Sequence, residues 1–368
     1  MAPVVHELAR HAPAMISYVC ATGQHRELLD RALDRLDLRP DQCLDVMVHD
    51  QTLAGLTARL FESLDPAIRE QKPDWVLVQG DTTTAMVGAL AAFYQRVRIG
   101  HVEAGLRTND LDRPFPEELN RRVTDLCADL CFAPTEWARA NLLREGVPAS
   151  RVHVTGNTIV DAVLEIASRP NDEGVGPLSV IPSAPRWVLV TVHRRESFGA
   201  PLEGICLAIL RIARLFGPSI HVIVPVHPNT HVGETVSRIL TLPNCSVIPA
   251  LDYPDLVHAL RRASLVLTDS GGIQEEAPTF GVPVLVLREK TERPEGIDAG
   301  VARLVGADPD VIVAEASKIL SSEGPRVPIA NPYGDGAAAR RIVTILRQHA
   351  GLPALGEADR IEAAKLRT

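Results

Sequence analysis

One glycine-rich turn in this 368-residue sequence has the residue types of an anion site. The apolar run "SLVL" (264–267) is followed by "TDSGGIQEEAP" (268–278). At a turn that leads into a helix, unpaired backbone N–H groups and the positive end of the helix dipole point the same way, which predicts a phosphate site. The residues of this site are Ser270, Gly271 and Gly272.

Two glutamates lie just beyond that turn, where a carboxylate is poorly suited to face a phosphate. Glu276 is predicted instead to accept hydrogen bonds from the two hydroxyls of a ribose, as acidic residues do in dinucleotide-binding folds. Glu275 is interpreted as facing solvent or capping the neighbouring loop. The segment therefore predicts a site for a nucleoside diphosphate.

Carboxylates also follow strand-like runs in the first half of the chain. Asp81 follows "WVLVQG", Glu103 lies in "HVEAGLRT", and Glu117 begins "EELNRR". Asp81 alone also fits a helix N-cap, and Glu117 alone also fits the first turn of a helix, where acidic side chains complement the dipole. Glu103 lies in an apolar segment and needs a partner or a function, and Arg107 on the adjoining turn is the predicted partner. Three such carboxylates in one half favour a functional site.

A histidine follows a strand-like run in the second half. His193 comes directly after "WVLVTV" and is followed by Arg194 and Arg195. A histidine titrates near neutrality, and arginines suit a diphosphate because they can donate two parallel hydrogen bonds.

The elements that must position these residues are buried strands alternating with helices. Apolar runs such as "MISYVCATG", "WVLVQGD", "HVIVPVH" and "VPVLVLR" recur with amphipathic, helix-length stretches between them. This pattern predicts an α/β fold with two Rossmann-like, doubly wound domains that face a central cleft, with ligand groups at the carboxyl ends of the strands. The predicted divisions are an N-terminal domain at 1–170, a linker at 171–185, a C-terminal domain at 186–345, and a helical segment at 346–368 that returns to the first domain.

Composition restricts the class of protein. Apolar residues make up 46% of the chain and charged residues 23%, which is typical of soluble globular proteins. The formal charge of −8 argues against nucleic acid as a partner, and no apolar stretch reaches the ~20 residues that span a bilayer. The six cysteines are predicted to be reduced thiols, which indicates a cytoplasmic protein. The dinucleotide and ATPase glycine motifs are missing and no paired ligand set accompanies Cys127 and Cys131, so neither a cofactor nor a metal is expected.

Many blocks of the sequence, in order, resemble the non-hydrolysing UDP-N-acetylglucosamine 2-epimerases. These blocks are "GDTTT", "HVEAGLRT", "PFPEELNR", "TGNTIVDA", "HRRESFG", "PVHPN", "TDSGGIQEEAP", "TERPEG" and "NPYGDG". The resemblance implies two Rossmann-like domains of the glycosyltransferase-B type, a homodimer, and interconversion of UDP-GlcNAc and UDP-ManNAc without an added cofactor. It further implies that UDP is eliminated from the sugar with loss of the C2 proton, and that UDP then adds back with a proton delivered to the other face of C2.

The resemblance also implies roles for individual residues. Asp81, Glu103 and Glu117 are similar to the family's acid/base groups, and His193 to its catalytic histidine near the diphosphate. The expected substrate-binding residues are Arg107, Arg194, Ser270, Gly271, Gly272, Glu276 and Arg293. A second UDP-GlcNAc activates bacterial members, and the positions here that match its site are Gln24, Arg194 and His227.

Two departures from the family pattern qualify the expected activity. The sequence opens with "MAPVVHELARHAP", which looks like the first helix of such a domain, whereas the family has a strand and a Gly-Thr-Arg-Pro-Glu turn before that helix. We therefore expect this chain to bind UDP but to epimerise slowly or not at all, and an added upstream segment to raise turnover. In addition, Leu256 stands where relatives often carry an aromatic residue near the uracil.

Other activities are also compatible with the sequence. The alternatives are a UDP-sugar glycosyltransferase of the same architecture, a hydrolysing relative, an epimerase of a different UDP-sugar such as a diacetamido uronic acid, and a UDP-binding protein with impaired catalysis.

Overall fold

A computed structural model describes residues 1–23, 33–48, 50–169, 176–182, 186–193, 199–226, 231–322 and 330–353. The chain divides into two compact units, one made of Met1–Ala162 with Gly334–Thr368 and the other of Val163–Tyr333. Gln24, Arg194 and His227 lie outside the described residues, as do residues 171–175 and 183–185 of the predicted linker at 171–185.

The first unit contains a parallel sheet with helices on both faces. Its described strands are β1 (Cys20–Ala21), β2 (Gln42–Cys43), β3 (Trp75–Gln79), β4 (Arg98–Val102), β5 (Leu130–Ala133) and β6 (Val152–Val154). Its helices are α1 (Ala2–Ala9), α2 (Leu53–Gln71), α3 (Thr83–Tyr94), α4 (Glu117–Cys127), α5 (Glu136–Arg144), α6 (Thr158–Ala167, which crosses the division at 162) and, near the C-terminus, α13 (Ala338–His349).

The strands of the first unit pair in the order β3-β4-β5-β6, while β1 and β2 form a separate parallel pair. One face of the sheet is covered by a core that includes Leu60 and Val87, and the other by a core in which Val4 of α1 and Ile342 of α13 are buried with Phe132. The last described helix of the chain therefore packs in the first unit.

The second unit has one parallel sheet of six described strands. They are β7 (Arg186–Thr191), β8 (Ile220–Val226), β9 (Cys245–Pro249), β10 (Ala263–Thr268), β11 (Val284–Val286) and β12 (Ala302–Leu304). The helices are α7 (Ala200–Phe216), α8 (His231–Ile239), α9 (Tyr253–Arg262), α10 (Gly271–Glu276), α11 (Pro294–Asp298) and α12 (Pro309–Ser321).

These six strands pair in the order β12-β11-β10-β7-β8-β9, which is the doubly wound Rossmann order. Separate cores cover the two faces, one including Ile205 and Ile312 and the other Leu260 and Val282. The predicted α/β class with two doubly wound units is confirmed. The order of the strands reverses between β7 and β10, and the carboxyl ends of strands at such a point are where these sheets bind ligands.

Three further observations concern the described residues. None of the helices found there has the length and apolar character that crossing a bilayer requires. All six cysteines are free thiols, and burial raises the pKa of Cys206 and of Cys245 to about 11. The predicted strand in "MISYVCATG" is shorter than expected, because only Cys20 and Ala21 pair with a neighbour.

Candidate active site

Two neighbouring strand ends of the second unit bring His193 and Ser270 to one edge of the sheet. β7 ends at Thr191 and β10 at Thr268, and the hydroxyl oxygens of these two threonines are 2.6 Å apart. His193 and Ser270 each follow two residues later, as the sequence predicted. The carboxyl ends of β7 and β10 therefore place an imidazole and the start of a helix where the order of the strands reverses.

Asp269 orients His193 and was not predicted from the sequence. The carboxylate of Asp269 is fully buried and accepts hydrogen bonds from the backbone N–H of His193 at 3.1 and 3.2 Å. His193 Nδ1 lies 3.2 Å from Asp269 Oδ1, although 64% of the imidazole is exposed. A carboxylate on one ring nitrogen of a histidine determines the orientation and tautomer of the ring, which leaves Nε2 for a ligand. The position of Asp269, directly after a buried strand and before Ser-Gly-Gly, is the signal that identifies it.

The helix that begins after Ser270 has a cation against its first residue. Arg293 Nη1 would be 2.5 Å from a Cβ at position 271, so only a glycine lets the guanidinium lie there. Ser270 makes no side-chain hydrogen bond to cap the helix. An arginine beside backbone N–H groups at a helix start is an arrangement suited to a diphosphate.

The interpretation of Glu275 as a solvent-facing or loop-capping residue is wrong. Glu275 is buried and its Oε1 accepts a hydrogen bond from Arg293 Nε at 2.7 Å, while Arg293 Nη1 donates to Glu292 Oε1 at 2.5 Å. Two carboxylates therefore hold the guanidinium in place. The role of Glu275 is to position a cation, which could not be seen from the local sequence because its partner is 18 residues away.

Glu276 is a buried carboxyl with an unused acceptor. Burial raises its pKa to about 7, and the nearby Tyr253 hydroxyl opposes that increase. Glu276 Oε2 and the Tyr253 hydroxyl oxygen are both buried and lie near each other, but neither makes a hydrogen bond of good geometry among the described residues. A Cβ at Gly272 would meet only Glu276 Oε1 within 4 Å, at 3.9 Å. A buried acceptor without a partner beside an open glycine is suited to a ligand hydroxyl.

In the first unit, two strand-end turns carry Asp81 and Glu103. Gly80, with φ 72°, donates a backbone hydrogen bond to the Val102 carbonyl at 3.1 Å, so the turn after β3 is tied to the end of β4. Glu103 has φ 69°, in the left-handed region that non-glycine residues seldom adopt, and its Oε2 accepts from Gln79 Nε2 at 3.4 Å. Strain of this kind is found at functional sites.

Asp81 does not cap the following helix; instead it forms an ion pair. Arg121 on α4 donates to Asp81 Oδ2 through Nε at 3.0 Å and Nη2 at 2.7 Å, and the side chain that caps α3 is Thr82. Asn120 of the same helix donates to the Asp81 carbonyl at 2.8 Å. Arg121 was missed by the sequence analysis because it is 40 residues from its partner.

The two glutamates at the start of α4 have different environments. Glu118 is fully buried and its oxygens accept from the backbone N–H groups of Thr108 at 3.0 Å and Asn109 at 3.1 Å. Glu117 has a buried Oε2 that is without a hydrogen-bond partner in the described part of the chain. Glu118 therefore holds a loop, and Glu117 is left with an acceptor for another group.

The sequence predicted that Arg107 pairs with Glu103, but in the structure it does not. Its guanidinium is buried and donates to Asp125 Oδ2 at 2.7 Å and to Glu145 through Nε at 2.8 Å and Nη2 at 2.7 Å. These hydrogen bonds raise the pKa of Arg107 even though burial alone would lower it. The role of Arg107 in substrate binding stays a prediction.

The order of the strands and the solved relatives identify an α/β protein with two Rossmann-like units of the glycosyltransferase-B type. A family model described as UDP-N-acetylglucosamine 2-epimerase matches residues 6–347. The chain therefore belongs to the UDP-N-acetylglucosamine 2-epimerase family.

Individual relatives agree with that assignment. A UDP-N-acetylglucosamine 2-epimerase of Yersinia pestis is 46% identical over 95% of each chain. The crystal structure of the Neisseria meningitidis UDP-GlcNAc 2-epimerase bound to UDP-GlcNAc is 39% identical, covers 95% of this chain and 96% of its own, and has a TM-score of 0.85. The Methanocaldococcus jannaschii enzyme in complex with UDP-GlcNAc and UDP is 32% identical, covers 94% of this chain and 95% of its own, and has a TM-score of 0.79.

Proposed function

We propose that this protein interconverts UDP-N-acetylglucosamine and UDP-N-acetylmannosamine by epimerisation at C2. The observation that carries the proposal is the buried arrangement at the start of α10, where the Arg293 guanidinium lies against Gly271 and Glu276 keeps an unused acceptor one turn further on. This arrangement offers a cation to a diphosphate and an acceptor to a ribose. Family membership and the relatives bound to UDP-GlcNAc support the same substrate.

The proposed reaction proceeds by elimination and re-addition. The bond between C1 and the diphosphate oxygen breaks, its electron pair leaves with UDP, and the C2 proton passes to a basic group of the protein. The resulting 2-acetamidoglucal has a double bond between C1 and C2. UDP then adds back to C1 while a proton is delivered to C2 from the opposite face, so the overall reaction consumes nothing.

The residues of this chain supply the groups that such a reaction needs. Asp81, Glu103 and Glu117 are the proposed acid and base groups. His193, held by Asp269, acts near the departing diphosphate, and Arg293 with the N–H groups after Ser270 stabilises its charge. No cofactor enters these steps.

The decisive experiment is to incubate the purified protein with UDP-GlcNAc alone in D2O. Formation of UDP-ManNAc with deuterium at C2 supports the proposal. Retention of the C2 proton by folded protein that binds UDP would instead identify a UDP-binding protein or a glycosyltransferase, which requires an acceptor. Release of free ManNAc would identify a hydrolysing enzyme, and exchange only with a diacetamido uronic acid substrate would change the sugar.

Five finer assignments belong to the same proposal. The protein works as a homodimer, which light scattering of the purified chain tests. It acts in the cytoplasm, where nucleotide sugars are used, and its product serves the synthesis of cell-surface polysaccharide.

Arg107 and Arg194 contribute to substrate binding, and Gln24, Arg194 and His227 form an allosteric site for a second UDP-GlcNAc. The time course of UDP-ManNAc turnover, with and without added UDP-GlcNAc, tests the allosteric site. If a second UDP-GlcNAc activates the enzyme, turnover of UDP-ManNAc alone begins with a lag, and added UDP-GlcNAc removes that lag.

A further inference from the structure

A buried pair of side chains, His101 and Asp125, connects α4 to both strand ends that carry the carboxylates of the first unit. His101 is on β4, two residues before Glu103, and Asp125 is on the last turn of α4. His101 Nδ1 lies 2.5 Å from Asp125 Oδ1, and His101 Nε2 lies 2.9 Å from the Gly80 carbonyl oxygen. The His101 and Asp125 side chains are inaccessible to solvent, at 0% and 2% exposure.

The partners of His101 use both of its ring nitrogens. The Gly80 carbonyl can only accept a hydrogen bond, so Nε2 carries a hydrogen. Asp125 accepts on Oδ2 from Arg107 Nη2 at 2.7 Å and from the Gly105 backbone N–H at 3.3 Å. Burial alone would raise the pKa of Asp125, but the charges of His101 and Arg107 and their hydrogen bonds outweigh it and lower that pKa. His101 Nδ1 makes the hydrogen bond with Asp125 Oδ1, so both ring nitrogens of His101 are used.

The hydrogen bonds of His101 and Asp125 reach backbone groups close to Asp81 and Glu103. Gly80 directly precedes Asp81, and its carbonyl is held by His101 while its N–H is held by the Val102 carbonyl. Gly105, two residues after Glu103, is held by Asp125. The same helix that carries Asp125 begins with Glu117. One buried hydrogen-bonded pair therefore links the backbone around Asp81, Glu103 and the helix of Glu117.

We propose that His101 is a positioning residue for epimerisation: with Nδ1 held by Asp125, it donates from Nε2 to the Gly80 carbonyl and so sets the places of Asp81 and Glu103. This inference rests on the proposed function, in which those carboxylates exchange the proton at C2. A displacement of about 1 Å in a reacting group can lower turnover about 100-fold, so a small movement of these turns has a measurable effect.

Two substitutions separate the two hydrogen bonds of His101. In His101→Asn the short amide can replace Nδ1 and donate to Asp125, but it does not reach Gly80. In His101→Gln the longer amide can replace Nε2 and donate to Gly80, but it leaves Asp125 with one donor fewer. Each variant loses one buried hydrogen bond to an acceptor, so a purely structural role predicts similar losses of stability and no difference in turnover between them.

The experiment measures kcat and KM for UDP-GlcNAc, the affinity for UDP and the melting temperature of both variants. We expect His101→Asn to lower kcat about 10- to 100-fold with KM and UDP affinity nearly unchanged, and His101→Gln to recover most of kcat. His153→Asn is the matched control, because His153 is a partly buried histidine on β6 of the same sheet and belongs to no part of the proposed machinery.

Several results would overturn the inference. Equal kcat in the two His101 variants, or a greater loss in His101→Gln than in His101→Asn, assigns His101 to stability alone. If His101→Asn does not fold, as judged by circular dichroism, then a folded His101→Gln with strongly reduced kcat contradicts the inference. Wild-type protein that binds UDP without epimerising would instead defeat the proposed function itself, and with it this inference.

Discussion

The guanidinium of Arg293 lies so close to Gly271 that a Cβ at position 271 would be 2.5 Å from its Nη1. Arg293 is held there by Glu275 and Glu292, so it has little freedom to move away. The cation and the start of α10 are thereby fitted to each other.

Replacement of this glycine is expected to weaken UDP binding. Gly271→Ala pushes Arg293 away from the helix start and removes a charged hydrogen-bond donor from the diphosphate, which lowers UDP affinity roughly 10-fold or more. Isothermal titration calorimetry measures the change. Gly272→Ala is the control, because a Cβ there meets only Glu276 Oε1, at 3.9 Å. Equal losses in the two variants would show that contact with the ligand, and not displacement of Arg293, is responsible.

Glu276 is expected to make stability depend on pH in the ligand-free protein. Its pKa in the folded state, about 7, is above the ordinary value of 4.5, so folding favours the protonated carboxyl. Its contribution to stability is fully present below pH 4.5 and is lost as pH rises through about 7. The loss is on the order of 3 kcal/mol at most. Urea unfolding at pH 5.5 and 8.5 measures it, and Glu276→Gln should remove this part of the difference.

Tyr253 offers a second variant for the same measurement. Its hydroxyl lowers the pKa of Glu276, so Tyr253→Phe should raise that pKa further and move the loss of stability to higher pH. An unchanged pH dependence in both variants would mean that Glu276 is not the titrating group.

Asp81 and Glu276 are expected to separate chemistry from binding. Asp81→Asn should reduce turnover by ~10² or more while UDP affinity stays nearly intact, because the group acts on the sugar proton. Glu276→Gln should weaken UDP affinity by roughly 1 to 3 kcal/mol, because a buried acceptor for the ribose is altered. Steady-state kinetics and UDP titration of both variants provide the comparison, and the opposite pattern would exchange the two roles.

Asp269 is expected to act through His193. Asp269→Asn keeps the shape of the side chain but removes the negative charge 3.2 Å from His193 Nδ1, so the imidazole loses its preferred orientation and tautomer. Turnover should fall about 10²-fold with less effect on KM, as expected for a group that supports acid/base catalysis. Kinetics of Asp269→Asn, His193→Asn and the double variant test this: fully additive losses would show that the two residues act independently.

Much of the fold could be predicted from the sequence alone, and so could the strand end at which several candidate residues lie. Parallel strands buried on both faces are continuous apolar runs, and their carboxyl ends share one edge of a sheet, so Asp81, Glu103, His193 and Ser270 could be assigned to strand ends. The Ser-Gly-Gly turn before α10 could likewise be predicted, because a glycine turn and a helix start are local features of the sequence.

The tertiary structure decided which charges meet. Glu275 binds Arg293, 18 residues away, and Asp81 binds Arg121, 40 residues away. Arg107 binds Asp125 and Glu145 and not Glu103. Adjacent glutamates at 117 and 118, and again at 275 and 276, have the same chemistry in the sequence but point in directions about 100° apart on a helix. Which of each pair binds a structural partner and which keeps an unused oxygen depends on what packs against each direction, and that is set by the helices and strands brought together on folding.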